Sequence, residues 1–116
     1  MKHFLKTASA GAILLASFSA SAADIKPSVV FDMGGKFDKS FNEGVYNGVE
    51  KFKKETGIKY REFEVTNEAQ REQAIRRMAK RGSDIVLGIG FAQSDAVKKV
   101  AGEYPNGQFA IIDGFV

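Results

Sequence analysis

Short apolar runs alternate with longer stretches of helical period along most of this chain. Ser28-Val29-Val30-Phe31 is a compact apolar run and predicts a buried strand. A glycine-containing loop, Asp32 to Asp38, follows it. From Ser40 to Glu55 the apolar positions Phe41, Val45, Val49 and Phe52 recur at near-helical spacing, and Gly57 supplies a stop. Lys59 to Val65 alternates imperfectly and carries many charges, which predicts a strand at a sheet edge. Thr66 or Asn67 can cap a second helix over 68–81, ended by Gly82. Asp84 to Gly88, with Ile85-Val86-Leu87 at its centre, predicts a third strand. A third helix runs from Phe91 to Tyr104, with Val97, Val100, Ala101 and Tyr104 inward, and Pro105 closes it. Gln108 to Ile112 is a fourth strand, ending in Asp113-Gly114.

The resulting order is β-α-β-α-β-α-β. Each strand-to-strand unit is long enough for a right-handed crossover, so the expected fold class is α/β, a parallel sheet with helices on its faces. The chain stops at Phe115-Val116, directly after a strand. A four-stranded sheet would then keep an apolar edge and face uncovered, and the expectation is a truncated chain.

The first 22 residues read differently. Lys2, His3 and Lys6 form a positive start, Ala8 to Phe18 is an apolar stretch too short to span a bilayer, and Ala20-Ser21-Ala22 fits a small-x-small cleavage rule. The expectation is a signal peptide over 1–22, cleaved near Ala22 or Ala23, with the mature chain over 23–116. With no cysteine at the cleavage point there is no site for a lipid anchor there, and the expected location is the periplasm.

Composition narrows the chemistry. Two of the 17 basic side chains, Lys2 and Lys6, lie in the leader, which leaves 15 against 14 acidic ones. That near-neutral balance gives no sign of nucleic-acid binding. The chain has no cysteine, and its one histidine is His3. The mature chain therefore offers no thiol chemistry, no Ser-His-Asp triad and no zinc site built on His or Cys.

In open parallel sheets, ligands lie outside the carboxyl ends of the strands. Asp32-Met33-Gly34-Gly35, Gly88-Ile89-Gly90-Phe91 and Asp113-Gly114 all fall on that rim. Each has a plainer reading as turn chemistry, and Phe41 has one as core. Gly88-Ile89-Gly90-Phe91-Ala92-Gln93 comes close to the dinucleotide fingerprint, but Gln93 replaces the third glycine and the segment follows the third strand, not the first. Lys51-Phe52-Lys53-Lys54, Arg76-Arg77 and Lys80-Arg81 read as solvated helix faces.

The segment from Asp32 through Asp38-Lys39-Ser40-Phe41-Asn42 to Gly44 resembles the signature of the basic membrane protein family, the solute-binding proteins of ABC importers that include purine nucleoside receptors. Ile89-Gly90-Phe91-Ala92, Tyr104-Pro105 and Phe109-Ala110-Ile111-Ile112-Asp113-Gly114 are similar to later stretches of that family. The resemblance implies the first lobe of a type I periplasmic binding protein, with strand order 2-1-3-4 and helices on both faces. It further implies Phe41 stacking on a base, Asn42 bonding that base, Asp32 and Asp113 meeting hydroxyls or the base edge, and Gly90 and Phe91 lining the cleft. The partners it implies are a nucleoside-like small molecule and an ABC permease in the inner membrane, with no cofactor, no metal and no catalysis. Two alternatives stay open: a non-functional truncated fragment of such a protein, and an α/β enzyme using Asp32 and Asp38 with a metal.

Overall fold

The structure is a computed structural model that describes residues 25–116. The expected leader lies outside the described residues. Four strands, β1 (Pro27–Phe31), β2 (Arg61–Glu64), β3 (Ile85–Ile89) and β4 (Gln108–Ile112), form one sheet in the order β2-β1-β3-β4. Every pairing is parallel, with Val29 opposite Glu62 and Leu87, and Leu87 opposite Ala110. The charged strand β2 is at an edge, as its composition predicts. Three helices connect the strands: α1 (Phe41–Thr56), α2 (Ala69–Lys80) and α3 (Ser94–Glu103).

Alternation along β1 splits the core in two. Val30 points to the face covered by α2 and α3, where it meets Ala74, Ile75, Met78, Val97 and Val100. Val29 and Phe31 point to the other face, under Val45, Tyr46 and Val49 of α1. Burying a side chain of this size stabilises by about 1.5–3 kcal/mol, so β1, buried on both faces, anchors the sheet. The helices thus flank both faces, as expected.

Three details differ from the sequence pattern. The inward face of α1 runs through Asn42, Val45, Tyr46 and Val49, not through Phe41, which is 57% exposed at the first turn. The apolar period of 41, 45 and 49 concealed a face rotated by one residue, because Asn42 is buried there instead. The third helix is delayed: Phe91–Gln93 form a turn of 3-10 helix and α3 proper starts at Ser94. Neither Thr66 nor Asn67 caps α2 with its side chain. Gln70 reaches back instead, its Oε1 accepting from the Thr66 N–H at 2.8 Å and from the Thr66 hydroxyl at 3.0 Å.

Arg76 also departs from a solvated face. Its guanidinium donates to Glu103 at 2.7 Å and to Glu72 at 2.6 Å, and Lys99 meets Glu72 at 3.0 Å. These four side chains cross the seam between α2 and α3.

Candidate functional site at the carboxyl rim

The chain leaves β1 for α1 on one face and β3 for α3 on the other. The neighbouring carboxyl ends of β1 and β3 therefore form a topological switch point, where open α/β sheets bind ligands. Asp32 is the first residue beyond β1 and lies at this point. Its backbone is clamped by Asn42: the Asp32 N–H donates to Asn42 Oδ1 at 3.1 Å, and Asn42 Nδ2 donates to the Asp32 carbonyl at 3.1 Å. Asn42 is only 3% exposed. Its amide faces the Asp32 backbone, which makes Asn42 a positioning group in this structure.

The Asp32 carboxylate is itself engaged. Arg71 Nε donates to Oδ1 at 3.0 Å, and both side chains are mostly buried. The other oxygen, Oδ2, lies against Gly90. That glycine has φ +99°, and a Cβ on it would come to 3.0 Å from Oδ2. Gly90 is therefore where the rim requires a residue without a side chain, for backbone conformation and for space alike. The Gly90 N–H donates to the Ile112 carbonyl at 2.9 Å and ties the end of β3 to the end of β4.

Asp38 opens α1. Its Oδ1 accepts from the Ser40 N–H at 2.8 Å and the Glu43 N–H at 3.0 Å. Desolvation works against its charge, but the N–H groups of Glu43, Ser40 and Asn42 outweigh it and hold the carboxyl below its ordinary pKa. Lys36 and β2 fasten the same loop: the Lys36 N–H donates to Glu64 at 2.9 Å and its ammonium to Glu62 at 2.7 Å.

That frame presents Phe41 outward. An open groove of about 450 Å³ is lined by Ser40, Phe41, Gly44, Val45 and Ile112. Phe91, 70% exposed, and Asp113 lie on the same rim, placed there by the pairing of Ile89 with Ile112. Asp113 adopts a left-handed conformation, φ 59°, which aspartate tolerates better than most residues. The structure thus brings Asp32, Asn42 and Gly90 into contact, sets Phe41 across a groove from Ile112, and holds Phe91 and Asp113 on the same edge.

Arg71 and Gln93 are site residues the sequence reading missed. Gln93 is fully buried between β1 and β3, its Nε2 donating to the Val30 carbonyl at 2.8 Å and the Ile89 carbonyl at 2.9 Å. Its position in place of the third glycine of a dinucleotide loop was the available signal. Arg71, inside the polar run Ala69-Gln70-Arg71-Glu72-Gln73, gave none.

Another groove, of about 270 Å³, is lined by Lys36, Tyr46, Glu50, Lys53, Lys59, Tyr60 and Glu62. Most of its polar groups are paired within it, with Tyr60 donating to Glu50 at 2.6 Å, Lys36 paired to Glu62 and Lys53 near Glu50. Desolvation, then the Glu50 bond, raise the Tyr60 phenol well above its ordinary pKa. The rim offers the less self-satisfied surface.

Comparison with known proteins bears on what this rim serves. A protein-family model described as ABC transporter substrate-binding protein, PnrA-like, matches residues 25–116. The chain is similar to an uncharacterized lipoprotein of Pyrococcus horikoshii, 34% identical over 77% of this chain and 22% of that protein. It is 28% identical to the ABC transporter nucleoside-binding protein BmpA of Lactococcus lactis, over 80% of this chain and 28% of that protein. An ABC transporter solute-binding protein from Aeropyrum pernix has a similar structure, with a TM-score of 0.73 and 29% identity over 79% of this chain and 25% of that one. The chain spans about a quarter of the length of these relatives.

Proposed function

The chain belongs to the PnrA-like family of ABC transporter substrate-binding proteins, and from that premise we propose that its carboxyl rim is one wall of a solute cleft for purine nucleosides. The observation that carries the reading is Phe41: a large aromatic held 57% exposed at the first turn of α1, directly after a loop fixed by Asp38, Asn42, Glu62 and Glu64. A rigid, exposed aromatic beside an apolar groove suits the flat face of a base. Asp32 Oδ2 and Asp113 supply carboxylate acceptors for hydroxyls. The name of the Lactococcus relative supports the nucleoside class.

In this reading Phe41 stacks, Gly90 and Phe91 line the cleft, Asp32 and Asp113 accept, and Asn42 fixes Asp32 in place. Residues 1–22 direct export and are removed, residues 23–116 form the first lobe, and a permease takes up the bound solute. An enzyme working through Asp32 and Asp38 with a metal fits less well. A cation already sits on Asp32, and Asp38 caps a helix.

Calorimetry with inosine, guanosine and adenosine, followed by recovery of the ligand, tests this. A single wall buries one face of a ligand, whereas tight sites bury most of its surface, so weak binding is expected and the nucleoside returns unchanged. No heat of binding from any of the three, or a chemically altered product, would contradict it. Submicromolar affinity would show that one wall suffices.

A further inference from the structure

The Arg71–Asp32 pair has a consequence for which ligands the rim accepts. We propose that Arg71 is a specificity-setting residue: it neutralises Asp32, so that the Asp32 end of the rim accepts neutral hydroxyl donors and turns away organic cations. The inference rests on the solute-binding reading of the rim.

The geometry has three parts. Arg71 is in the first turn of α2, which begins at the carboxyl edge because β2 runs parallel to β1. Its Nε approaches Oδ1 to 3.0 Å, and its side chain is only 11% exposed against 18% for Asp32. A pair so enclosed is poorly screened by salt. Second, among the described residues no group donates to Oδ2, which stays beside Gly90 as one acceptor. Third, the nearby Asp38 carboxylate is spent on the N–H groups at the start of α1.

The chemistry follows from that distribution. A carboxylate with both oxygens free is a receptor for ammonium groups and, in bidentate fashion, for guanidinium groups. With Oδ1 held by a guanidinium already, a second cation would meet like charge a few ångströms away. A hydroxyl has no such conflict and can donate to Oδ2. Arg71 thus holds the place that a cationic ligand would need.

The test is an NMR titration of the ¹⁵N-labelled chain with two probes, inosine as the neutral ligand and agmatine as the guanidinium cation, read at the Asp32, Gly90 and Phe91 amides. In the unsubstituted chain, millimolar agmatine should not move these resonances. In Arg71→Met it should move them saturably, with affinity at least about tenfold above that of the unsubstituted chain. Arg71→Lys, which keeps the charge, should behave like the unsubstituted chain. Arg71→Gln keeps a hydrogen-bond donor without charge and serves as a second neutral variant should Arg71→Met not fold. Equal agmatine responses with and without the charge would overturn the proposal. So would unfolding of both neutral variants while Arg71→Lys stays folded, since the charge would then serve stability. A missing inosine response in the unsubstituted chain counts against the nucleoside reading and leaves the agmatine comparison intact.

Discussion

At the scale of single residues, Phe41 and Asn42 are neighbours with opposite duties, and substitution separates them. Phe41 is largely exposed and supports little of the core. Phe41→Ala should change stability by no more than about 0.5 kcal/mol. Base stacking on an aromatic is worth about 1–3 kcal/mol, so in a complete two-lobed relative carrying this segment the same change should weaken nucleoside binding by about tenfold to a hundredfold. Thermal melts of this chain and calorimetry on the two-lobed relative check the two halves, and a large loss of stability would return Phe41 to the core. Asn42 is buried and holds both backbone polar groups of Asp32. Asn42→Ala should cost about 1–3 kcal/mol of stability, because buried groups lose their partners. Chemical denaturation measures this. Little of the division was legible beforehand. The period of Val45 and Val49 drew Phe41 onto the inward face, and a buried asparagine leaves no mark in an apolar pattern. Assigning Phe41 to the ligand came from the resemblance, and its exposed position is compatible with that proposal.

At the scale of elements, helix positions were readable and helix faces less so. Gly57 closes α1 where expected, its N–H donating to the Lys53 carbonyl at 2.8 Å. The late start of α3 was hidden because Gln93, polar in sequence, is a core residue that joins β1 to β3. The charges of α2 looked solvated since a sequence does not reveal which helix packs alongside. In the structure, hydrogen bonds from Arg76, and for Glu72 also from Lys99, hold Glu72 and Glu103 below the ordinary carboxylate pKa. A lowered folded pKa contributes stability that is complete above the unfolded value, near 4.5, and fades as pH falls through the folded values. The melting temperature should therefore fall as pH drops below that value. Arg76→Ala should flatten that part of the profile while leaving the share from Asp38, whose carboxyl is also lowered. Melts across the acid range measure it. An unchanged slope in Arg76→Ala would show that the network contributes nothing, as many exposed ion pairs do.

At the scale of the whole molecule, the alternation of runs and periods was enough for a parallel α/β sheet. The order β2-β1-β3-β4 came from the family resemblance, and the structure and the solved relatives agree with it. The charged composition of β2 was the one independent pointer to an edge. The rim was legible as a place, because strand ends, glycines and acids fell together there. Its electrostatics were not, because Arg71 comes from a helix far along the chain. The family is one of extracytoplasmic substrate-binding proteins, and several relatives are named lipoproteins. The chain spans about a quarter of such a protein's length, and in the proposed reading it supplies one α/β wall with an aromatic, two carboxylates and a glycine gap. The central claim is that this wall receives the solute. Intermolecular NOEs in an inosine-saturated, isotope-labelled sample test it most directly. The purine H8 and H2 protons should show contacts to the Phe41 ring, with ribose protons near Gly90. Contacts confined to the groove between Tyr46 and Tyr60, or to the side chains under α2, would contradict it.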